Sequence, residues 1–187
     1  IVERAIEDDF VALLKHKVEA ITVGNPLDDD TMVGTLITEA EAIRVEKAIE
    51  GVVADGATLV TGGQRDRTMV APAIISNVSA DHSFAQTELF GPAVSITTAK
   101  DYQHALELAN NSPYGLGAGV FTHDHDESTQ AIREIDAGVV HINWTPLWRA
   151  DLMPYGGIKS SGIGKEGVRT TVNEMTNWKT VIMHSRV

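Results

Sequence analysis

The chain has 187 residues, 43% of them hydrophobic, which is enough for an ordinary core, and it contains no apolar run of about 20 residues that could cross a bilayer. Its 26 acidic and 15 basic residues give a net charge of −11 without a basic cluster, which argues against nucleic-acid and membrane partners. It contains no cysteine, which excludes disulfides and thiolate zinc sites and makes a cytoplasmic location the expectation.

The first predicted elements are a strand end at Ile1-Val2 and a helix after it. The apolar residues of this helix are spaced to share one face: Phe10, Leu13, Leu14, Val18 and Ile21. After an irregular segment over 22–37, Thr38-Glu-Ala-Glu41 is a capping-box signature that predicts a second helix, ending at Gly56. Its apolar stripe comprises Ala42, Val45, Ile49 and Val52.

Beyond this helix, strands and helices alternate. We predict strands over 58–61, 69–75, 94–98, 117–122 and 139–143, and helices over 101–109 and 128–135. This alternation indicates βαβ units, so the predicted fold class is α/β, with a mainly parallel sheet and flanking helices. Apolar and polar side chains also alternate over 178–184, and a strand so isolated needs a partner outside its own sheet.

A metal site is one interpretation of His123-Asp-His125-Asp126, in which potential ligands follow one another closely. The other is the polar start of the next helix, because Asp and Ser prefer capping positions. A zinc site also needs a third or fourth ligand, which the sequence does not indicate. We therefore favour the helix start and predict no metal.

The segment Glu88-Leu-Phe-Gly-Pro92 places a carboxylate two residues from an aromatic ring. A carboxylate accepts hydrogen bonds from ribose hydroxyls and a ring offers a flat face to a nicotinamide, so both would position a hydride acceptor. The alternative is a strand entry in which Phe90 is buried before a Gly-Pro turn. From the residue types alone, the strand entry is favoured.

A glycine-rich stretch near the C-terminus runs Pro154-Tyr-Gly-Gly-Ile-Lys-Ser-Ser-Gly-Ile-Gly-Lys-Glu-Gly167. Its last six residues match G-x-G-x-x-G, but a dinucleotide site needs a strand immediately before this pattern. The preceding Lys159-Ser-Ser161 is predicted to be a loop. We therefore interpret the glycines as tight turns and close approaches of the backbone.

The segment Asn143-Trp-Thr-Pro-Leu-Trp-Arg-Ala-Asp-Leu-Met153 combines two tryptophans with a guanidinium. Arg149 offers a rigid, always-charged fork for a carboxylate, phosphate or sulfonate, or it pairs with nearby Asp151 and fixes the loop. Trp144 and Trp148 would form an aromatic wall, or one of them belongs to the core. The sequence leaves these alternatives open.

In this order, these motifs resemble the C-terminal half of the aldehyde dehydrogenase superfamily. The stretches Asn111-Ser-Pro-Tyr-Gly-Leu-Gly117 and Ala137-Gly-Val-Val-His-Ile-Asn143 extend the resemblance, which covers essentially all of residues 1–184. It implies a fold like the catalytic domain of that family, with a C-terminal oligomerisation strand. The function it implies is NAD(P)-dependent oxidation of an aldehyde to a carboxylic acid.

The resemblance also implies roles for individual residues. Glu88 would bind the nicotinamide ribose of NAD or NADP, and Phe90 would pack beside the cofactor. Tyr155 would face the substrate tunnel. The variable loop that holds Trp144, Trp148 and Arg149 would form part of the substrate mouth. If Arg149 binds an anion there, the expected substrate is an anionic aldehyde.

The family's cysteine nucleophile and general-base glutamate lie before the position that matches Ile1, so we assign no catalytic residue to this chain. Residues 1–175 are predicted to be a partial catalytic domain that starts just after the cysteine. Residues 176–187 are predicted to be a strand and tail through which the protein forms a homo-oligomer. The chain alone is expected to be inactive. The alternative, which the lack of cysteine favours, is a non-catalytic assembly module that retains the scaffold and the pairing strand.

Overall fold

The structure is a computed structural model that describes residues 1–185. These residues form two compact units, Ile1–Ser112 and the residues from 113 onward. Each unit combines helices with parallel strand pairs, which confirms the predicted α/β class. Within residues 1–185, no helix has the length and apolar character that a membrane span requires.

The first unit contains the predicted elements together with a short helix over 83–86 and a short strand over 65–66, which the sequence did not predict. The helices are α1 (Glu7–Glu19), α2 (Glu39–Ala54), α3 (Ser83–Gln86) and α4 (Tyr102–Asn110). The strands are β1 (Val2–Glu3), β2 (Thr58–Thr61), β3 (Arg65–Asp66), β4 (Met69–Val70), β5 (Ala73–Ser76), β6 (Ala93–Ser95) and β7 (Thr98–Ala99).

Helix α1 packs with a face that is rotated from the predicted one. Val11, Leu14 and Val18 contact a buried cluster formed by Val2, Ile74 and Ile96. Phe10 and Leu13, which we predicted to lie on the packed face, are exposed. The apolar residues of α1 extend around more of the helix than one packed face, so their spacing fits two overlapping stripes and contact with the cluster selects one of them.

Helix α2 has the predicted start, end and core face. The Thr38 hydroxyl accepts a hydrogen bond from the Glu41 backbone N–H at 3.2 Å, which satisfies a donor that the first turn leaves free. Gly56 follows the helix with φ +106°, a conformation that favours glycine. The predicted stripe is buried: Ala42, Val45, Ile49 and Val52.

The region predicted as one strand over 69–75 is divided by Pro72. Strand β4 pairs antiparallel with β3, whereas β5 lies between β2 and β6, antiparallel to the first and parallel to the second. Proline has no N–H for a ladder, which separates the two pairings. The strand predicted over 94–98 is likewise two strands, since β6 pairs with β5 and β7 pairs with β1.

The second unit contains a parallel strand pair and the glycine-rich turns. Its helices are α5 (His125–Glu134) and α6 (Val168–Met175), and its strands are β8 (Tyr114–Gly115), β9 (Gly117–Val120), β10 (Val139–Ile142) and β11 (Ile158–Lys159). Strands β9 and β10 are parallel, and β8 pairs antiparallel with β11. Lys159, predicted to lie in a loop, therefore ends a short strand.

Asp124 caps helix α5, so the helix begins three residues before the predicted 128. Its carboxylate accepts from the backbone N–H groups of Asp126 and Glu127 at 2.7 and 3.1 Å. This is the capping role that we favoured over a metal site for His123-Asp-His125-Asp126.

The described residues after α6, 176–185, form neither helix nor strand and find no strand partner within residues 1–185. Trp178 is 94% exposed and Met183 91% exposed. The C-terminal oligomerisation strand and tail predicted over 176–187 therefore stay a prediction, and the last two of these residues lie outside the described part of the chain.

Candidate functional site

In the first unit, the candidate cofactor segment 88–92 is fixed to the core through Leu89. The Leu89 side chain packs against the larger core cluster, which includes the buried face of α2. Its carbonyl accepts a hydrogen bond from Arg44 Nη2 at 2.7 Å, and Arg44 Nε in turn donates to Glu41 at 2.8 Å. The residues on either side of Leu89 are thereby held at the surface.

Gly91 lets this segment lie directly on helix α2. A Cβ at this position would come within 2.6 Å of Val45 Cγ2, which is closer than real Cβ contacts. Val45 is fully buried, so it has little freedom to move away. The next residue, Pro92, accepts from Ala73 N at 2.8 Å and so joins the segment to β5.

Phe90 is exposed and has an uncommon backbone conformation. Its side chain is 74% exposed and its φ is +50°. For a residue that has a Cβ, this left-handed backbone conformation costs about 1–3 kcal/mol. Such strained conformations cluster at functional sites. The strand-entry interpretation, which required a buried Phe90, is wrong.

Glu88 lies at the rim of a groove of about 330 Å³ whose walls include α2 and α3. Its carboxylate is exposed and forms no hydrogen bond or ion pair within residues 1–185. The groove also contains His82, whose Nδ1 accepts from Phe84 N at 3.0 Å while its Nε2 lies 3.1 Å from Asp55. Glu88 is therefore the acidic group here that can accept hydrogen bonds from a ligand without losing a described partner.

In the second unit, the tryptophan loop 143–153 crosses the surface of β9. A Cβ on Gly119 would lie 2.7 Å from the Trp144 carbonyl oxygen, and one on Gly117 would lie 3.3 Å from Pro146 Cβ. Gly117 and Gly119 lie on the same face of the strand. Because neither has a side chain, the loop can lie close to the strand backbone. Asn143, at φ +56°, begins the loop, and its Oδ1 accepts from Thr122 N at 2.9 Å.

Trp148 is held by the ring of His141 on β10. The ring centroids are 6.3 Å apart at an interplanar angle of 79°, an edge-to-face arrangement. His141 Nε2 is buried and has no hydrogen-bond partner among the described residues. Trp148 remains about half exposed, so it combines a fixed edge with a surface open to a ligand.

Arg149 stacks on Tyr155. The guanidinium carbon lies 3.1 Å from the centre of the tyrosine ring, within the range of a cation–π contact. No ion pair joins Arg149 to Asp151 within residues 1–185, so the loop-fixing alternative is not the observed arrangement. Stacking uses the face of the guanidinium and leaves its N–H edge free to bind an anion.

The backbone of Tyr155 is fixed on both sides. Its N–H donates to the Glu166 carbonyl at 3.1 Å, and the Glu166 N–H donates back at 2.5 Å. Next to this pair, Lys165 Nζ donates to the carbonyls of Gly156 and Gly138 at 2.6 and 3.3 Å. Tyr155 therefore presents its ring from a rigid segment.

The six predicted site residues fall into two groups. Glu88 and Phe90 belong to the first unit, and Trp144, Trp148, Arg149 and Tyr155 belong to the second. Within the second group, the structure joins Arg149 to Tyr155. No ring contact joins Trp144 to Trp148 in the described part of the chain, and the ring that contacts Trp148 is that of His141.

The sequence profile of the aldehyde dehydrogenase family matches residues 1–181. The chain belongs to this family. It is 41% identical over 185 residues to a lactaldehyde dehydrogenase of Methanococcus vannielii, covering 99% of this chain and 40% of that protein. It is also 41% identical over 175 residues to a 3-sulfolactaldehyde dehydrogenase of Priestia megaterium, covering 94% of this chain and 37% of that protein.

The fold is similar to that of solved aldehyde dehydrogenases. Glyceraldehyde-3-phosphate dehydrogenase GapN of Methanocaldococcus jannaschii, solved with NADP, matches with a TM-score of 0.92 and 38% identity. The match covers 98% of this chain and 40% of that one. The chain thus spans about two fifths of the length of the aldehyde dehydrogenases that it matches.

Sequence reasoning missed His141 and Lys165, which contact or support the predicted aldehyde dehydrogenase site residues. His141 sits in a short strand, where alternation places it on the same face as Val139. Lys165 was treated only as part of a glycine motif. A long cationic side chain inside a turn rich in free carbonyls is the signal that could have indicated its role.

Proposed function

We propose that the protein containing this chain oxidises an aldehyde with a distal anionic group to a carboxylic acid, using NAD or NADP. The observation that carries the anionic part is the stacking of Arg149 on Tyr155, with no ion pair to Asp151 among the residues that the structure describes. In the same loop, Leu147 and Leu152 are apolar and exposed and Trp148 is half exposed. A substrate that covered these side chains would exclude water from a charge pair with Arg149 and so strengthen it.

The names of the relatives support this substrate class. The Priestia protein is called a 3-sulfolactaldehyde dehydrogenase, and the GapN structure is titled a glyceraldehyde-3-phosphate dehydrogenase. A sulfonate and a phosphate are both oxyanions that a guanidinium binds through two N–H groups. The Methanococcus relative is called a lactaldehyde dehydrogenase, so an uncharged hydroxyaldehyde is the natural comparison substrate.

The first unit fits a nicotinamide cofactor. Bound NAD(P) would supply the hydride acceptor. Glu88 would accept hydrogen bonds from the nicotinamide ribose, since its carboxylate has no other partner within residues 1–185. The exposed ring of Phe90, held in a strained conformation, would restrict the movement of the cofactor.

A second candidate is a non-catalytic assembly module, and the absence of cysteine favours it. Aldehyde oxidation through a covalent intermediate needs a nucleophile, and the chain offers no thiol. The intact mass of the natural protein separates the two candidates. A mass near 20.1 kDa supports the module, whereas a much larger mass with aldehyde-dependent NAD(P)H formation supports the enzyme. We further propose that the isolated 187-residue chain is inactive, and NAD(P)H formation by it would contradict this.

Changing Arg149 to Met in the whole enzyme tests the anionic substrate, because Met keeps the apolar stem and deletes the charge. We expect kcat/KM for the anionic aldehyde to fall. The fall should correspond to a loss of about 1.5–3 kcal/mol of transition-state stabilisation, the scale of a charged hydrogen bond. A neutral aldehyde of similar size should change little. The measurement is steady-state kinetics with both substrates.

Arg169→Met is the matched control, since Arg169 is exposed on helix α6 of the same unit and its loss gives the same change in net charge. It should leave both substrates unaffected. Equal losses of kcat/KM for both substrates in the Arg149 variant would show that Arg149 supports the loop and does not bind the anionic group.

A further inference from the structure

Lys165 lies in the glycine-rich turn before α6, and its ammonium group is directed into the protein backbone. Its Nζ donates to the carbonyl of Gly156 at 2.6 Å and to that of Gly138 at 3.3 Å. The side chain is partly buried and forms no ion pair within residues 1–185. A lysine whose described partners are two main-chain carbonyls holds segments together and does not serve as a surface charge.

The two carbonyls need this donor because their segments are very close. A Cβ on Gly138 would collide with the Gly156 carbonyl and would come within 2.8 Å of Lys165 Nζ. Carbonyls left without a donor in such a place are costly, so the ammonium group compensates for the approach.

The two acceptors are adjacent to the elements that hold Trp148 and Arg149. Gly138 immediately precedes β10, the strand that carries His141 under Trp148. Gly156 immediately follows Tyr155, whose ring lies under Arg149. The neighbouring Glu166 pairs with Tyr155 through two backbone hydrogen bonds. A displacement of Gly156 would therefore move the tyrosine ring and the guanidinium stacked on it.

We propose that Lys165 is a positioning residue for anion recognition, because it fixes the Tyr155-Gly156 backbone to β10 and so sets the place of the Arg149 guanidinium. The proposal rests on the proposed role of Arg149. It assigns Lys165 no contact with substrate or cofactor.

The test is Lys165→Met in the whole enzyme, which keeps the stem and deletes the donors. We expect KM for the anionic aldehyde to rise about tenfold, the scale of one charge-assisted hydrogen bond, while kcat and the KM of a neutral aldehyde stay within twofold. Lys165→Arg, which keeps a cationic donor, should restore much of the affinity. Lys47→Met, at an exposed lysine on α2, is the control for lost charge and should have no effect.

A double variant shows whether Lys165 acts through Arg149. If it does, adding Lys165→Met to Arg149→Met should cause no further loss that is specific to the anionic aldehyde. If Arg149→Met is selective but Lys165→Met raises both KM values equally, the positioning role is overturned and the substrate proposal stands. If Arg149→Met itself is not selective, both are overturned.

Should Lys165→Met fail to fold, Lys165→Gln keeps one donor group and serves in its place. A smaller rise in KM that is still confined to the anionic aldehyde supports the proposal. Equal rises for both aldehydes overturn it. The melting temperature of each variant, measured in parallel, shows whether a loss of fold contributes to the kinetic change.

Discussion

The exposure and backbone conformation of Phe90 argue against a role in the core. A buried aromatic ring at this position would have been part of the core, but the ring is 74% exposed at φ +50°. The strain is maintained by its neighbours, since Leu89 packs into the core and Gly91 contacts Val45. A ring held outside the core at a cost of about 1–3 kcal/mol is consistent with a surface that receives a ligand.

Glu88 gives a prediction at the same scale. Changing Glu88 to Gln in the whole enzyme should weaken cofactor positioning and lower kcat/KM. The fall should correspond to a loss of about 1–3 kcal/mol of transition-state stabilisation, the value of a charged hydrogen bond. The melting temperature should not change, because the carboxylate has no partner within residues 1–185. The measurements are steady-state kinetics with varied NAD(P) and thermal unfolding.

Glu50→Gln, at an exposed carboxylate on α2, is the control for Glu88 because it makes the same change in charge in the same unit. Unchanged kinetics in the Glu88 variant would remove the ribose-binding role. A large fall in melting temperature would instead indicate a structural role for Glu88.

At the scale of elements, helix α2 organises the first unit. Its buried stripe forms most of the larger core cluster, and its exposed side contributes Arg44, which holds the Leu89 carbonyl. Arg65 of β3 binds Glu46 at 2.7 Å, and this hydrogen bond raises the pKa of Arg65 above its usual value. The helix thus fixes the candidate cofactor segment and the β3–β4 hairpin from one rigid support.

The N-cap of α2 gives a prediction that can be measured locally. Thr38→Ala removes the bond to the Glu41 N–H and should destabilise the helix by about 1 kcal/mol. Amide hydrogen exchange in the first turns of α2 should then be roughly fivefold faster wherever local opening governs it. Thr35→Ala, at an exposed threonine before the helix, is the control. Equal exchange rates in both variants would show that the cap contributes nothing.

At the scale of the whole molecule, the tail is the feature that the described residues leave without a partner. Trp178, Val181 and Met183 are exposed at 94%, 71% and 91%. Apolar side chains exposed in succession at a chain end are a hazard for association unless a partner covers them. We expect a strand of another subunit to cover these side chains.

Deleting residues 178–187 from the whole protein should therefore lower its oligomeric state, as measured by sedimentation velocity. The matched control is deletion of residues 185–187 alone, which leaves the alternating segment 178–184 intact and should keep the oligomer. If the longer deletion left the oligomeric state unchanged, the oligomerisation role of the tail would be contradicted.

Features that depend on neighbouring residues could be predicted without the structure. The Thr38 cap, the buried stripe of α2, the strand Thr58–Thr61 and helix α4, predicted over 101–109, all agree with the structure. These depend on side chains within a turn or two of the backbone groups that they satisfy. The order of the motifs also identified the family, because each motif carries several fixed residues at fixed spacing.

The tertiary structure decided the features that join distant segments. It selected Val11 over Phe10 on the packed face of α1, because the core cluster contacts one of two possible stripes. It placed Arg149 on Tyr155 in preference to nearby Asp151, and it brought Lys165 to Gly138, 27 positions earlier in the chain. Spacing along the sequence does not predict such contacts, because close packing of whole segments sets which side chains meet.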